Sequence, residues 1–186
     1  MPESDSLSRS VNVTSFAPLS LVQGRWQVGK VQRAYGMAID SVSVSAKGEV
    51  FAVAAANKGD DTELKLVLLE QDKLAWQERS TLPGSFGVLT SWVGLRDFIV
   101  GKNAIVVNTS SEHEVPRLLY PWGRNKASIS GNGVFYSVDG GKSWKRLAMN
   151  GYLGLLGLDS RNDRVMWSKG SWYESRDANV YSYGLQ

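Results

Sequence analysis

Apolar and polar residues alternate along most of the chain with a period of two, and the apolar runs are short. Arg25-Trp26-Gln27-Val28-Gly29-Lys30-Val31 alternates, and Met37 to Ser45 continues the pattern through Ile39, Val42 and Val44. A period of two sends successive side chains to opposite faces of an extended backbone, so these segments predict strands. Lys47-Gly48 then turns the chain into Glu49-Val50-Phe51-Ala52-Val53-Ala54, which makes a hairpin. Leu64 to Glu70 and Leu74 to Arg79 predict a second hairpin, and further strands are expected at Val11 to Thr14, Val88 to Val93, Asp97 to Val100 and Ala104 to Asn108. Past these come Arg117 to Trp122, Tyr152 to Leu158, Val165 to Trp167 and Trp172 to Tyr183. Phe16 to Val22 is apolar but carries Pro18, and reads as a packed connector. Asn57 to Asp61, Thr109 to Pro116 and Gly123 to Gly133 are polar or Gly-rich and read as loops.

The turn chemistry is most complete from Val134 to Leu147. Ser137-Val138-Asp139-Gly140-Gly141-Lys142-Ser143-Trp144 follows a β-branched and aromatic run. Asp139 is placed to fold its carboxylate onto turn amides, and Gly140 and Gly141 accept the positive φ of a tight connection. Trp144 closes the turn with an apolar plate whose indole N–H needs an acceptor. The pattern Ser137-x-Asp139-x-Gly141-x-Ser143-Trp144 resembles the Asp-box, or BNR repeat, of sialidases, sortilin-like receptors and photosystem assembly factors. That resemblance implies propeller-type blades and a structural role for Ser137, Asp139, Gly141 and Trp144. Leu69 to Arg79 looks like a decayed copy, with Asp72 in the turn and Trp76 on the return strand. Ser175-Arg176-Asp177-Ala178-Asn179 repeats the opening of the pattern roughly 40 residues beyond Ser137, the period of a four-stranded blade.

The expected fold is therefore all-β: antiparallel meanders forming a small or incomplete propeller-like domain. Residues 1–10 are Ser-rich and expected to be disordered, and 11–186 to form a single domain with units at about 25–82, 83–150 and 151–186, which the N-terminal strand could close. At 186 residues the chain is too short for a ring of six or more blades, and 42% hydrophobic with 21% charged residues is a globular balance.

Composition then narrows the chemistry. The absence of Cys removes disulfides, thiol nucleophiles and thiolate metal sites. With a single His, His113, a His-based zinc site is not available. Asp60-Asp61 lacks the alternating oxygen donors of a calcium loop. A formal charge of +3, with the cations scattered, argues against a nucleic-acid footprint. No apolar run approaches the ~20 residues that span a bilayer. The polar, acidic N-terminus is unlike a signal peptide, which suits a cytoplasmic chain; a periplasmic protein starting at its mature end would look the same. The arginine cluster, Tyr–Glu pair and proton donor that the sialidase resemblance would supply stand in no recognisable motif here. No catalytic residue, metal or cofactor is expected.

Recognition remains, and loops are where contact residues are carried. The candidates are Ser80, Thr81, Ser85 and Phe86; Ser110, Ser111, Glu112 and His113; and Arg124, Asn125 and Ser128. A small, Cys-free, all-β chain with meanders and no catalytic set is similar in general character to immunity proteins of type VI secretion, which guard the periplasm against peptidoglycan amidase effectors. This resemblance implies a non-enzymatic inhibitor that binds a bacterial hydrolase one-to-one, with a Ser-bearing loop entering the cleft. The alternative is an Asp-box assembly factor or a carbohydrate-binding module using Trp92, Trp122, Trp167 or Trp172 as stacking surfaces. A truncated glycosidase is a third reading.

Overall fold

The computed structural model describes residues 13–35, 37–58, 61–70, 73, 75–115, 127–147, 153–159, 162, 164–169 and 179–185. Within them the fold is all-β and antiparallel, with sheets that are not closed into a barrel.

A first meander runs β5 (Ala38–Val44), β6 (Val50–Lys58), β7 (Asp61–Glu70) and β8 (Ala75–Thr81), each paired with the next. A second runs β9 (Trp92–Val100), β10 (Ile105–Val115), β11 (Ala127–Ser137) and the two-residue β12 (Lys145–Arg146). A third comprises β13 (Leu153–Asp159), β14 (Arg164–Lys169) and β15 (Asn179–Gly184). The leading strands β5 and β13 both adjoin β9, as in radially arranged blades.

The second sheet is buried on both faces. Ile105, Val107 and Phe135 pack against Phe51, Val53, Leu64, Leu66 and Leu82 of the first meander and its exit. The alternate residues Ala104, Val106, Val134 and Tyr136 pack with Leu147 against Val165 and Leu185. That explains why Ala104 to Val107 is continuously apolar: a strand covered on both sides has no polar face to present. Each fully buried Leu, Val or Phe contributes about 1.5–3 kcal/mol. A third cluster, Ala52, Ala54 and Val67, is covered by Met37, Ile39 and Trp76 on the far face of the first meander.

Several loop expectations do not survive. Asn57, Lys58 and Asp61 belong to strands, with Lys58 paired to Asp61, so β6 and β7 extend into the expected loop from its two ends. Thr109 to Val115 is paired on β10 with β11, and through Glu112 with β9 as well, while Ala127 to Gly133 forms the first part of β11. Backbone pairing with a neighbouring strand, on both sides for Thr109 to Glu112, outweighs the polar side chains that made these stretches read as loops. Val88 to Val93 is not a strand: Gly87–Leu89 forms a single 3-10 turn, and β9 begins at Trp92.

The N-terminal region also differs from its sequence reading. Instead of a packed connector, β2 (Leu19–Val22) and β3 (Arg25–Val28) form a hairpin through Gln23 and Gly24, both at positive φ. Its side chains are exposed, Trp26 at 71%. β1 (Val13–Phe16) pairs with β4 (Gln32–Tyr35), and the three-stranded third sheet contains no N-terminal strand among the described residues.

Candidate functional site

The turn between β11 and β12 is locked from within. The Ser137 hydroxyl donates to Asp139 Oδ1 at 2.7 Å and accepts from the Gly141 amide at 2.8 Å. Asp139 Oδ1 also accepts from the Lys142 and Ser143 amides at 3.0 Å each, and its Oδ2 from the Ser143 hydroxyl at 2.6 Å. These donors, the Ser143 hydroxyl foremost and the Ser137 hydroxyl next, hold the Asp139 carboxyl far below its ordinary range. Gly140 and Gly141 sit at φ +72° and +84°, and a Cβ at Gly141 would collide with Leu66. Trp144 packs at the edge of the core and donates its indole N–H to Ser80 Oγ at 2.9 Å. The side chains of Ser137, Asp139 and Ser143 are thus engaged with one another and with the amides of their own turn.

A different feature emerges where the chain crosses from β8 to β9. The Leu82 amide extends the β7 ladder by donating to Leu64 O, and Pro83 then ends the pairing, having no N–H. Residues 83–91 fold back over the polar end of β10. Thr109 Oγ1 donates to Pro83 O at 3.0 Å, the Ser85 amide donates to Ser111 Oγ at 2.9 Å, and the Ser91 amide donates to Glu112 O at 2.8 Å. His113 Nδ1 lies 2.7 Å from Leu89 O, a carbonyl oxygen that can only accept, so Nδ1 is the donor of this contact. The rings of Phe86 and His113 are 5.8 Å apart, and Arg146 donates to Ser85 O at 3.2 Å from across the sheet. Gly131 lets Ser85 and Phe86 approach β11, since a Cβ there would press on both, and a Cβ at Gly133 would press on Phe135 and on Ser85 Oγ. The strap thus holds a rigid loop, and at its crest Val88 and Leu89 point outward, Val88 fully exposed and Leu89 at 60%.

The candidate contact residues divide accordingly. Ser85, Phe86, Ser111 and His113 come together as the strap and its seat. Ser111 is buried and also donates to Gly131 O, so it meets no partner directly. Ser110 Oγ reaches Gly94 O at 3.4 Å, and Glu112 alternates with His113 to the opposite face of β10. Ser128 is exposed on β11 opposite Glu114. Ser80 and Thr81 are strand residues of β8: Ser80 holds the Trp144 indole, and Thr81 accepts from Lys65 Nζ at 2.8 Å. Lys65 also pairs with Glu78 at 3.0 Å and Glu63 at 3.1 Å, and the hydrogen bond it donates to Glu78 is the chief cause of its raised pKa. Arg124 and Asn125, with Trp122, Trp172 and Ser175 to Ala178, lie outside the described residues. Compared with family models, curated proteins and solved structures, the chain matches none of them.

Reading the sequence missed Val88 and Leu89, which were assigned to a strand. Nothing in their own composition marks them: Gly87, at φ +57°, opens the 3-10 turn Gly87–Leu89 that keeps both residues out of a strand. Beside the strap, a cavity of about 450 Å³ is lined by Glu63, Thr81, Pro83, Thr90, Ser91 and Trp92 among others.

Proposed function

We propose that this chain is a non-enzymatic binding protein that inserts the strapped loop 83–91 into a cleft of another protein, acting as an inhibitor of a bacterial cell-wall hydrolase. The supporting observation is the pairing of rigidity with exposure. A loop tied to its own sheet by several hydrogen bonds has little conformational entropy to lose on docking, and its apolar crest supplies the contact. Side chains this apolar and this exposed on a monomeric surface mark interaction sites when they sit on a fixed scaffold. The plug is then Val88 and Leu89, with the serines beneath serving as fastenings. The hydrolase, and the periplasm as the place of encounter, follow from the likeness in general character to immunity proteins.

Co-expression with the product of the adjacent gene, followed by gel filtration and a peptidoglycan-cleavage assay, tests this reading. A one-to-one complex that silences the hydrolase is expected. Replacing both Val88 and Leu89 by Asp should weaken it about 100-fold or more while leaving the unfolding midpoint unchanged. Wild-type affinity in that variant would sink the loop assignment, and separate elution of the two proteins the inhibitor reading itself.

One observation favours a second reading. Trp92 is 47% exposed at the rim of the 450 Å³ cavity, beside the hydroxyls of Thr81 and Ser91 and the carboxylate of Glu63. An aromatic plate next to polar groups suits a sugar ring, and Trp fluorescence titrated with peptidoglycan fragments, with Trp92→Ala as control, separates this reading from the first.

A further inference from the structure

At the other end of the central sheet, three turns converge on a groove of about 400 Å³: Ser45 to Glu49, Gly101 to Ala104, and Val138 to Lys142. Each turn brings one lysine, Lys47, Lys102 and Lys142, and β8 adds Arg79. Arg79 occupies the irregularity where β8 slips against Leu66 and Val67, and an extra residue of this kind re-aims its side chain out of the regular alternation. Its Nε is buried, with no hydrogen-bond partner among the described residues. Among the described residues, none of these four cations forms an ion pair.

The two carboxylates of the groove, Glu49 and Asp139, offset only half of this charge, and among the described residues neither forms an ion pair with any of the four cations. Asp139 is bonded to Ser137, Lys142 and Ser143 within its own turn, through the Lys142 backbone amide and not its ammonium group. Glu49 Oε2 accepts from the Ser45 hydroxyl at 3.3 Å. Four positive groups therefore face one concave site, one of them a guanidinium with a buried, unpartnered N–H. A guanidinium accompanied by ammonium groups is the donor set for an oxyanion, the planar fork providing geometry and the lysines point charges.

We infer that this groove is a binding site for a compact, multiply charged oxyanion of phosphate or polycarboxylate chemistry, independent of the strapped loop at the opposite end of the sheet. Anchorage on three separate turns gives the site a fixed spacing, so it accepts a small polyanion held at several points better than a single charge.

The test is isothermal titration of the full chain with pyrophosphate and, separately, with citrate at low ionic strength. The expected result is saturable one-to-one binding, and the stronger of the two ligands identifies the chemistry. The Lys102→Gln/Lys142→Gln variant changes exposed side chains only and should bind at least tenfold more weakly; Arg79→Gln should abolish binding. Arg25→Gln/Lys30→Gln removes the same charge from β3 and the residues just after it and should bind as wild type. Glu49→Gln, which keeps an acceptor for Ser45, should tighten binding several-fold. Should Arg79→Gln fail to fold, the lysine pair and its control decide alone. Equal weakening in the two double variants, or no saturation with either ligand, would overturn the site.

Discussion

Two hairpins in this molecule each carry a tryptophan, and they differ in almost everything else. The β11–β12 turn is short, internally hydrogen-bonded and joined to the rest of the fold by Trp144, whose indole reaches Ser80 on another sheet. The β2–β3 hairpin has an equally well-formed turn at Gln23-Gly24, yet Leu19, Leu21, Trp26 and Val28 on one of its faces remain exposed. Turn chemistry is thus sufficient to reverse a chain but not to dock it. Docking here comes with a side chain that finds an apolar seat, and Trp144 finds a partner for its polar atom as well.

The contrast is broken most directly by truncating the two tryptophans. Trp144→Ala should destabilise the fold by about 3–5 kcal/mol, whereas Trp26→Ala should stay within about 0.5 kcal/mol, both read from urea unfolding midpoints. A large loss from Trp26→Ala would mean that the hairpin is packed in solution. Next in size is Asp139→Ala, with a cost of about 2 kcal/mol as turn amides and hydroxyls lose their acceptor. The carboxyl has its pKa depressed in the folded state, so its contribution is complete above the ordinary aspartate value near 3.9 and is lost as pH falls below it. Asp139→Asn should flatten that acid limb of the stability profile. An unchanged slope would show that other carboxylates govern it. The smallest effect, about 1 kcal/mol, is expected for Ser80→Ala, and a double-mutant cycle with Trp144→Phe should show the two changes to be non-additive.

How much of this was legible in the sequence depended on the distance over which each interaction acts. Ser137, Asp139, Gly141 and Ser143 complete one another within a few residues, so the turn could be read directly. Its anchor could not, because Ser80 belongs to another sheet and nothing local distinguishes it from a loop serine. The polar halves of β10 and β11 were misread for the opposite reason. Thr109, Ser111 and His113 look solvent-directed, but the strap from 83 to 91 satisfies them from outside the sheet. The all-β class, carried by the alternation through Val42, Val44, Phe51 and Val53, was plain in the sequence. The location of the exposed crest was not, since Val88 and Leu89 have the composition of a strand.

The shortness of β12 bears on how the protein behaves at high concentration. The central sheet ends in Lys145 and Arg146, both exposed, and Arg146 sends its guanidinium to the carbonyls of Ser85 and Asn132. A border this brief and this cationic offers an incoming chain little backbone to pair with and repels a copy of itself, so fibril growth is discouraged there. Replacing both residues with valine should leave the monomer folded and turn that border into a seed for aggregation.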